Sequence, residues 1–313
     1  MKPIEMRDAF FERVVDLAIE NEHVFFLTAD HAAFSLKRYR EKLPDRYINV
    51  GISEMNMIGV ASGLALQGKV AFAYGIAPFV SLKVMEQIAI DAAAMNLSVN
   101  IISVGAGFTY STDGPTHHGL QDLPAVLTIP NVTILNSSDP LNTAAFAQIA
   151  VSEPGTKYIR IEKGAMPCLP RLGSHNFKSG VSKLKEGSDL AVVVTGSIAH
   201  EALAASLNVE KNLGLSVRVI DLYRLKPLPS EALLDLLGDF THVVTVEENY
   251  LSGGIGNLLA SLLMEANLSP KFLRIGVKDM FCFDYSERDD LRSIHGVCKG
   301  SIASKICEWM SVS

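Results

Sequence analysis

The residues best placed to do chemistry lie in two stretches. The first is Tyr47-Ile48-Asn49-Val50-Gly51-Ile52-Ser53-Glu54-Met55-Asn56-Met57-Ile58-Gly59. An apolar strand ends at a glycine, a serine follows as a plausible N-cap, and Glu54 enters the first turn of a helix, at its positive end. Val50, Ile52, Met55 and Met57 surround it. Apolar surroundings raise a carboxyl pKa and can keep it protonated at neutral pH. The same pattern also describes a first-turn charge on an ordinary helix. The second stretch carries Asp113, Thr116, His117 and His118 in a long polar loop. Imidazole and carboxylate both bind sugar hydroxyls and move protons, so the loop reads as a hydroxyl-rich substrate surface. A solvated loop of turn residues has the same composition. Phe79, after Pro78, is either a core residue or a flat face beside a heterocycle. Lys83, one helical turn later, is by default a solvated charge.

The elements that must position these groups alternate. Residues 6–20 read as a helix packed by one face, through Met6, Phe10, Val14 and Leu17. A buried strand, Val24 to Thr28, ends in Ala29-Asp30-His31. The strand into Gly51 and the Glu54 helix follow, with Met57, Ile58, Ala61, Leu64 and Ala65 at helical spacing and Gly68 as the stop. Strands are expected at Val70 to Tyr74, Val99 to Val104, Val132 to Leu135 and Lys157 to Ile161, with helices from about Ser81 to Met95 and from Pro140 to about Val151. The apolar run at Val99 to Val104 is of the type expected in a parallel sheet. Such alternation predicts an α/β fold of two doubly wound, mostly parallel sheet domains. A carboxylate at the carboxyl edge of such a sheet faces the crevice where these folds bind ligands.

Glycines and prolines punctuate residues 164–188, which places the first domain at 1–165, a linker at 166–188 and a second domain at 189–313. The second domain opens with a strand at Leu190 to Thr195 and a helix from Ala199 to Leu213. Further on, Gly254-Ile255-Gly256 follows a strand and opens a helix, which invites a dinucleotide reading. The third glycine is missing, Leu259 standing in its place, and Glu247 and Glu248 would repel a pyrophosphate. Close packing of helix on sheet is the preferred explanation.

Two domains suit 313 residues, because a single core rarely grows past about 250 to 300. Apolar residues make up 48%, and Lys plus Arg number 28 against 34 Asp plus Glu, a net charge of -6 with no basic stripe. Nucleic-acid binding is therefore not expected. The four cysteines form no Cys-x-x-Cys pair, which suits a reducing cytoplasm and argues against a disulfide framework or structural zinc. Neighbouring histidines such as His117 and His118 point apart, and no third ligand stands at useful spacing, so no metal site is expected in this chain. No apolar run reaches the roughly 20 residues of a membrane span.

Taken in order, these motifs resemble the C-terminal half of transketolase: Gly-Ile-Ser-Glu54 before a helix, Pro78-Phe79 before Glu86-Gln87-Ile88, Asp113-Gly114-Pro115-Thr116-His117, then Thr195-Gly196-Ser197, Lys226-Pro227 and Val246-Glu247-Glu248 before Gly253-Gly254-Ile255-Gly256. The resemblance covers almost the whole chain and extends more loosely to deoxyxylulose phosphate synthases and to β subunits of 2-oxoacid dehydrogenases. It implies a pyrimidine-binding domain and a C-terminal domain that together serve thiamine diphosphate. In that family a carboxyl matching Glu54 bonds to the pyrimidine ring nitrogen and stabilises the imino tautomer, whose exocyclic nitrogen takes the thiazolium proton. Phe79 matches the ring that stacks on the pyrimidine. Asp30 falls near an aspartate that contacts the cofactor, and Lys83 stands where relatives often carry arginine. Asp113 and His117 match contacts to the hydroxyls of the donor sugar, and His118 replaces a more usual glutamine.

The family holds the diphosphate through magnesium (or calcium) on an N-terminal domain bearing Gly-Asp-Gly, and this sequence has no Gly-Asp-Gly. The resemblance therefore implies one half of a split enzyme. A partner N-terminal subunit supplies the diphosphate and metal site, self-association runs through the pyrimidine-binding domain, and the assembly is a two-plus-two heterotetramer acting on sugars. Where relatives hold a sugar phosphate with arginine and histidine, this chain has Asn136-Ser137-Ser138-Asp139 and, near the histidine position, Gly105. That departure points to an unusual or unphosphorylated acceptor, or to a phosphate grip on the partner. The rival expectations are a decarboxylating subunit of the synthase or dehydrogenase kind, and a scaffold subunit without catalysis.

Overall fold

The structure is a computed structural model that describes residues 3–31, 33–173 and 177–312. Residues 174–176 of the expected linker lie outside the described residues. The chain forms two compact units: Met1–Thr109 with His117–Cys168, and Tyr110–Thr116 with Leu169–Ser313.

The first unit contains β1 (Ile4–Glu5), α1 (Met6–Glu20), β2 (Val24–Thr28), α2 (Leu36–Lys42), β3 (Tyr47–Asn49), α3 (Glu54–Leu66), β4 (Val70–Ile76), β5 (Val99–Val104), α4 (Asp122–Leu127), β6 (Val132–Asn136), α5 (Pro140–Ser152), β7 (Thr156–Ile161) and β8 (Ala165–Met166). Within it the strands lie in the order β6-β7-β5-β4-β2-β3, and every one of these pairings is parallel. The chain steps from β2 out to β3, then returns to the other side of β2 for β4. The strand order thus reverses at β2, the position where doubly wound sheets open a crevice. Thr28 pairs with Asn49 of β3 and with Tyr74 of β4, so these three strands run in level register towards one edge.

Helix α1 buries more than the expected single face. Phe11 and Val15 join Met6, Phe10 and Val14 at zero exposure because α1 sits between α5 and the sheet. The Phe11 ring meets Tyr74 edge-on at 4.8 Å and Phe26 at 5.6 Å, an aromatic cluster that fixes α1 over β2 and β4. Gly68, at φ +75°, ends the Glu54 helix region as expected.

Three expectations need correction. Ser53 is the N-cap residue of α3, but its side chain makes no capping hydrogen bond. The predicted α-helix from Ser81 to Met95 is instead a tight 3-10 turn at Leu82–Val84 followed by a π-helical stretch, Gln87–Ala93, in which Ala94 N donates to Ala89 O at 2.9 Å. Wide turns of this kind occur often at functional sites. Here the alanines Ala92 and Ala93 are buried, and the stretch packs on α3. Part of the expected linker is structured: Val181–Lys185 forms β9, antiparallel to the strand at Val217–Leu222. Gly187 stands so close to that same strand that a Cβ there would lie 2.2 Å from the Val217 carbonyl carbon.

The second unit continues with β10 (Leu190–Thr195), α6 (Ala199–Leu213), β11 (Val217–Leu222), β12 (Arg224–Lys226), α7 (Ser230–Leu237), β13 (His242–Tyr250), α8 (Ile255–Glu265), β14 (Lys271–Val277), α9 (Arg288–Ile294) and α10 (Lys299–Val312). Its five-stranded sheet has the order β14-β13-β10-β11-β9, parallel except for β9. The Gly254-Ile255-Gly256 turn is engaged by the chain's own carboxylate. The buried Glu247 carboxylate accepts hydrogen bonds from Ile255 N at 3.0 Å and Gly256 N at 3.1 Å, and so caps α8 from within the chain. A Cβ on Gly254 would sit 1.9 Å from Glu247 Oε2. Gly254→Ala is therefore expected to lower unfolding free energy by about 1–3 kcal/mol, from overpacking and a weakened cap, measured as a lower urea midpoint at unchanged slope.

Candidate functional site

The carboxyl ends of β2, β3 and β4 border a small, half-open pocket of about 180 Å³, lined by residues that include Asp30, His31, Glu54 and Phe79. Each side chain arrives from a different strand end. Asp30 and His31 follow β2. Glu54 follows β3 as the first residue of α3. Phe79 lies in the turn after β4. Sheet topology alone thus gathers residues separated along the sequence.

Two tight hydrogen-bonded turns hold the β2 and β3 ends. Asn49 is the tie between them: its amide donates to Asp30 Oδ1 at 2.9 Å, and its Oδ1 accepts from Asp30 N and from Gly51 N, both at 3.0 Å. Asp30 adopts a left-handed φ of 59°, which Asp tolerates better than most residues. The Thr28 hydroxyl bonds to both the N–H and the C=O of His31, at 3.0 and 2.7 Å.

Glu54 is 6% exposed. Its surroundings are less apolar than the sequence suggests, because Ile52 and Met55 turn to solvent while Met57 alone goes into the core. Its Oε2 accepts a hydrogen bond of 2.6 Å from Lys83 Nζ, whose side chain is 46% exposed. Lys83 is therefore not a free surface charge. Its ammonium also lies 5.9 Å from the centre of the Phe79 ring. The 3-10 turn that replaces the expected helix carries this lysine.

His31 was legible only as a strand-end residue, and the structure gives it a place in the cavity. Burial pushes its pKa below 6.5, and the charges of Arg7 and Lys163 and the His117 imidazole push the same way, against Glu54. At neutral pH it is a neutral imidazole, with one nitrogen able to donate and the other to accept. Its ring packs 5.2 Å from Tyr74. The carboxyl-edge rule, applied to Asp30, would also have selected its neighbour.

His117 stands edge-on to Phe79, ring centres 5.2 Å apart. The base of its loop is pinched shut by paired backbone bonds between Gly107 and Gly119, at 2.8 and 2.9 Å. A Cβ on Gly119 would lie 2.4 Å from Gly105 O, so only glycine fits. Arg160, buried, anchors this base. It donates to Gly119 O and forks onto Asp122 at 2.8 and 3.1 Å. His118 is buried and packs edge-on to Phe108, the environment of a core histidine. Asp113 is exposed, closes a 3-10 turn at Ser111–Asp113 and belongs to the second compact unit. The structure thus gathers Glu54, Phe79, Lys83, Asp30 and His31, with His117 against Phe79.

At the end of β6, Asn136-Ser137-Ser138-Asp139 is buried. Ser138 and Asp139 cap α5: Asp139 accepts from Asn142 N at 3.0 Å, and the Asn142 side chain bonds back to Ser138 and to Asp139 N.

Comparison with known proteins identifies the two domains. Residues 2–167 match the transketolase pyrimidine binding domain, and residues 180–302 match the transketolase C-terminal domain. A chain of Methanocaldococcus jannaschii, provisionally named as a transketolase C-terminal section, is 31% identical over 97% of this chain and 96% of its own length. A 6-deoxy-6-sulfo-D-fructose transketolase subunit of a Clostridium species is 33% identical over 88% of this chain and 85% of its own. Among solved structures, a split gene transketolase described as an inactive beta4 tetramer superposes with a TM-score of 0.85 at 28% identity, covering 96% of each chain. The chain belongs to the transketolase family, as its pyrimidine-binding and C-terminal domains.

Proposed function

We propose that this chain is the C-terminal subunit of a split transketolase, which moves a two-carbon ketol unit from a ketose to an aldose with thiamine diphosphate. The observation that carries the reading is Glu54, a buried carboxyl at the mouth of the cavity where the strand order reverses, with the Phe79 ring beside it. These residues fit the aminopyrimidine half of the cofactor: one acid to meet a ring nitrogen and one flat side chain to lie against the ring. When bound, the cofactor supplies a carbon nucleophile and an electron sink.

The chain's own residues then have distinct tasks. Glu54 would give up its bond to Lys83 to hold a ring nitrogen and the proton shared with it. Phe79 would lie against the face of the ring. Asp30, held by Asn49, borders the same cavity. His31, kept neutral by burial, can pass a proton beside Glu54. His117 and Asp113 are assigned to the sugar hydroxyls. The diphosphate and its magnesium are assigned to a partner subunit, in a two-plus-two assembly that associates through the pyrimidine-binding domain in a reducing cytoplasm. A relative described as an inactive tetramer of β chains supports the need for a second chain. The buried capping residues at the end of β6 support an acceptor whose phosphate, if it has one, is gripped elsewhere.

The test is reconstitution with an N-terminal subunit, assaying glycolaldehyde transfer between sugars beside pyruvate decarboxylation. Transfer without decarboxylation is expected; decarboxylation alone would assign the chain to the synthase or dehydrogenase branch. Calorimetry on this chain alone should show no binding of thiamine diphosphate tighter than about 1 mM, because about half of the contact energy is missing. Micromolar binding by the isolated chain would end the split-site reading.

A further inference from the structure

A second cluster lies far along the sequence from Glu54 and plays no part in the function above. Cys282, Asp284 and His295 each present one ligand atom, and these atoms all lie within 4.8 Å of one another. Cys282 Sγ is 3.7 Å from Asp284 Oδ2, and His295 Nε2 is 3.9 Å from the same oxygen. Sequence spacing hides the set, because α9 (Arg288–Ile294) separates the histidine from the other two.

The separations can be compared with what an ion requires. Metal–sulfur bonds of about 2.3 Å and metal–nitrogen or –oxygen bonds of about 2.0–2.1 Å, at tetrahedral angles, put ligand atoms roughly 3.3–3.6 Å apart. Two of the observed distances exceed that by only a few tenths of an ångström, within the reach of small side-chain rotations. The donor set is mixed, with one soft sulfur, one imidazole nitrogen and one carboxylate oxygen, and this combination selects zinc-like ions over magnesium or calcium. Cys282 is buried and the His295 side chain is only 5% exposed, whereas Asp284 is half exposed. The cluster is thus walled on two sides and reachable through the carboxylate, which gives an ion an entry path.

We propose that Cys282, Asp284 and His295 form a three-ligand site for a zinc-class divalent cation, with solvent in the fourth position. The ion staples the irregular segment between β14 and α9 to the far end of α9. Asp284 and Cys282 come from the segment, His295 from the helix end. The exposed rings Phe281, Phe283 and Tyr285 alternate with the two ligands along that segment, so the staple also fixes which way these rings face. The site is independent of the proposed ketol transfer.

Cobalt(II) and zinc(II) provide the probes, used on the full chain after tag removal and chelation. One equivalent of cobalt is expected to bind with a thiolate-to-cobalt absorption band in the near ultraviolet, and one equivalent of zinc should displace it. Cys282→Ser should remove the band. Asp284→Asn, at an exposed position that leaves folding intact, should weaken zinc at least about 10-fold, and His295→Ala about 100-fold, by analogy with the roughly 10- to 100-fold cost of losing even an outer partner. Unchanged far-ultraviolet dichroism separates loss of a ligand from loss of fold. A band that survives Cys282→Ser would place the metal on another thiol and overturn the site. So would zinc affinity unmoved by Asp284→Asn, or no band with the unaltered chain.

Discussion

Glu54→Gln is expected to lower turnover of the reconstituted enzyme by about 10²- to 10⁴-fold, the range in which a positioned proton-transfer group contributes. Glutamine keeps the volume and one oxygen, but it has no acidic proton to share with a ring nitrogen. The loss should fall on kcat with fold and assembly preserved. The reason lies in the partner of Glu54: Lys83 is 46% exposed, and an ion pair with so wet a member contributes at most about 1 kcal/mol to stability. Thermal unfolding of the variant should therefore stay close to that of the parent. Lys83→Met sharpens the test. If Lys83 competes with the cofactor ring for the carboxyl, removing it should tighten cofactor binding in the reconstituted enzyme; if it helps to hold the cofactor, binding should weaken. Activity of Glu54→Gln within two-fold of the parent would remove the acid from the mechanism and favour a scaffold subunit.

What the sequence revealed, and what it concealed, follows from the range of the forces involved. Helix α3, with Glu54 at its start, could be read from local spacing and a terminal glycine, and so could β5 and β10, whose bounds match the expected ones. These signals sit within a single element. The Lys83–Glu54 bond could not be read, because it spans 29 positions and depends on a 3-10 turn and a π-helical stretch where alanine-rich spacing suggests a plain α-helix. The apolar neighbours of Glu54 in sequence also cover it less than their spacing suggests: Ile52 borders the same cavity yet is 80% exposed. Edge strand β14 begins with exposed residues and buries only Ile275, Gly276 and Val277, which leaves little periodicity to detect. Glu247 and Glu248 count against a pyrophosphate at this turn by their charge alone. Their actual occupations, a helix cap and an ion cluster, require partners that only the fold brings near.

That ion cluster carries the largest expected effect on stability. Glu248, 5% exposed, accepts hydrogen bonds from Arg288 at 2.9 and 3.1 Å and from Arg292 at 2.7 and 3.1 Å. Burial opposes the charge on Glu248, but the two guanidiniums outweigh it and hold the carboxyl down at about 2, against an ordinary 4.5. The sign of the linkage follows. A carboxyl whose pKa falls on folding stabilises the native state at every pH above its unfolded value, and that contribution is lost as pH drops from about 4.5 towards 2. The gap corresponds to on the order of 3 kcal/mol. The urea midpoint of the parent should accordingly fall more steeply below pH 4.5 than that of Glu248→Gln, which has no proton to take up. At neutral pH Glu248→Ala should cost about 3–5 kcal/mol, since two largely buried guanidiniums are left without their counter-charge. Replacing all three residues together, Glu248→Met with Arg288→Met and Arg292→Leu, should recover much of that loss, because an uncompensated buried charge is worse than none. Equal acid sensitivity in parent and Glu248→Gln would mean that the carboxylate is no more stabilised in the folded chain than in the unfolded one, despite the two arginines against it.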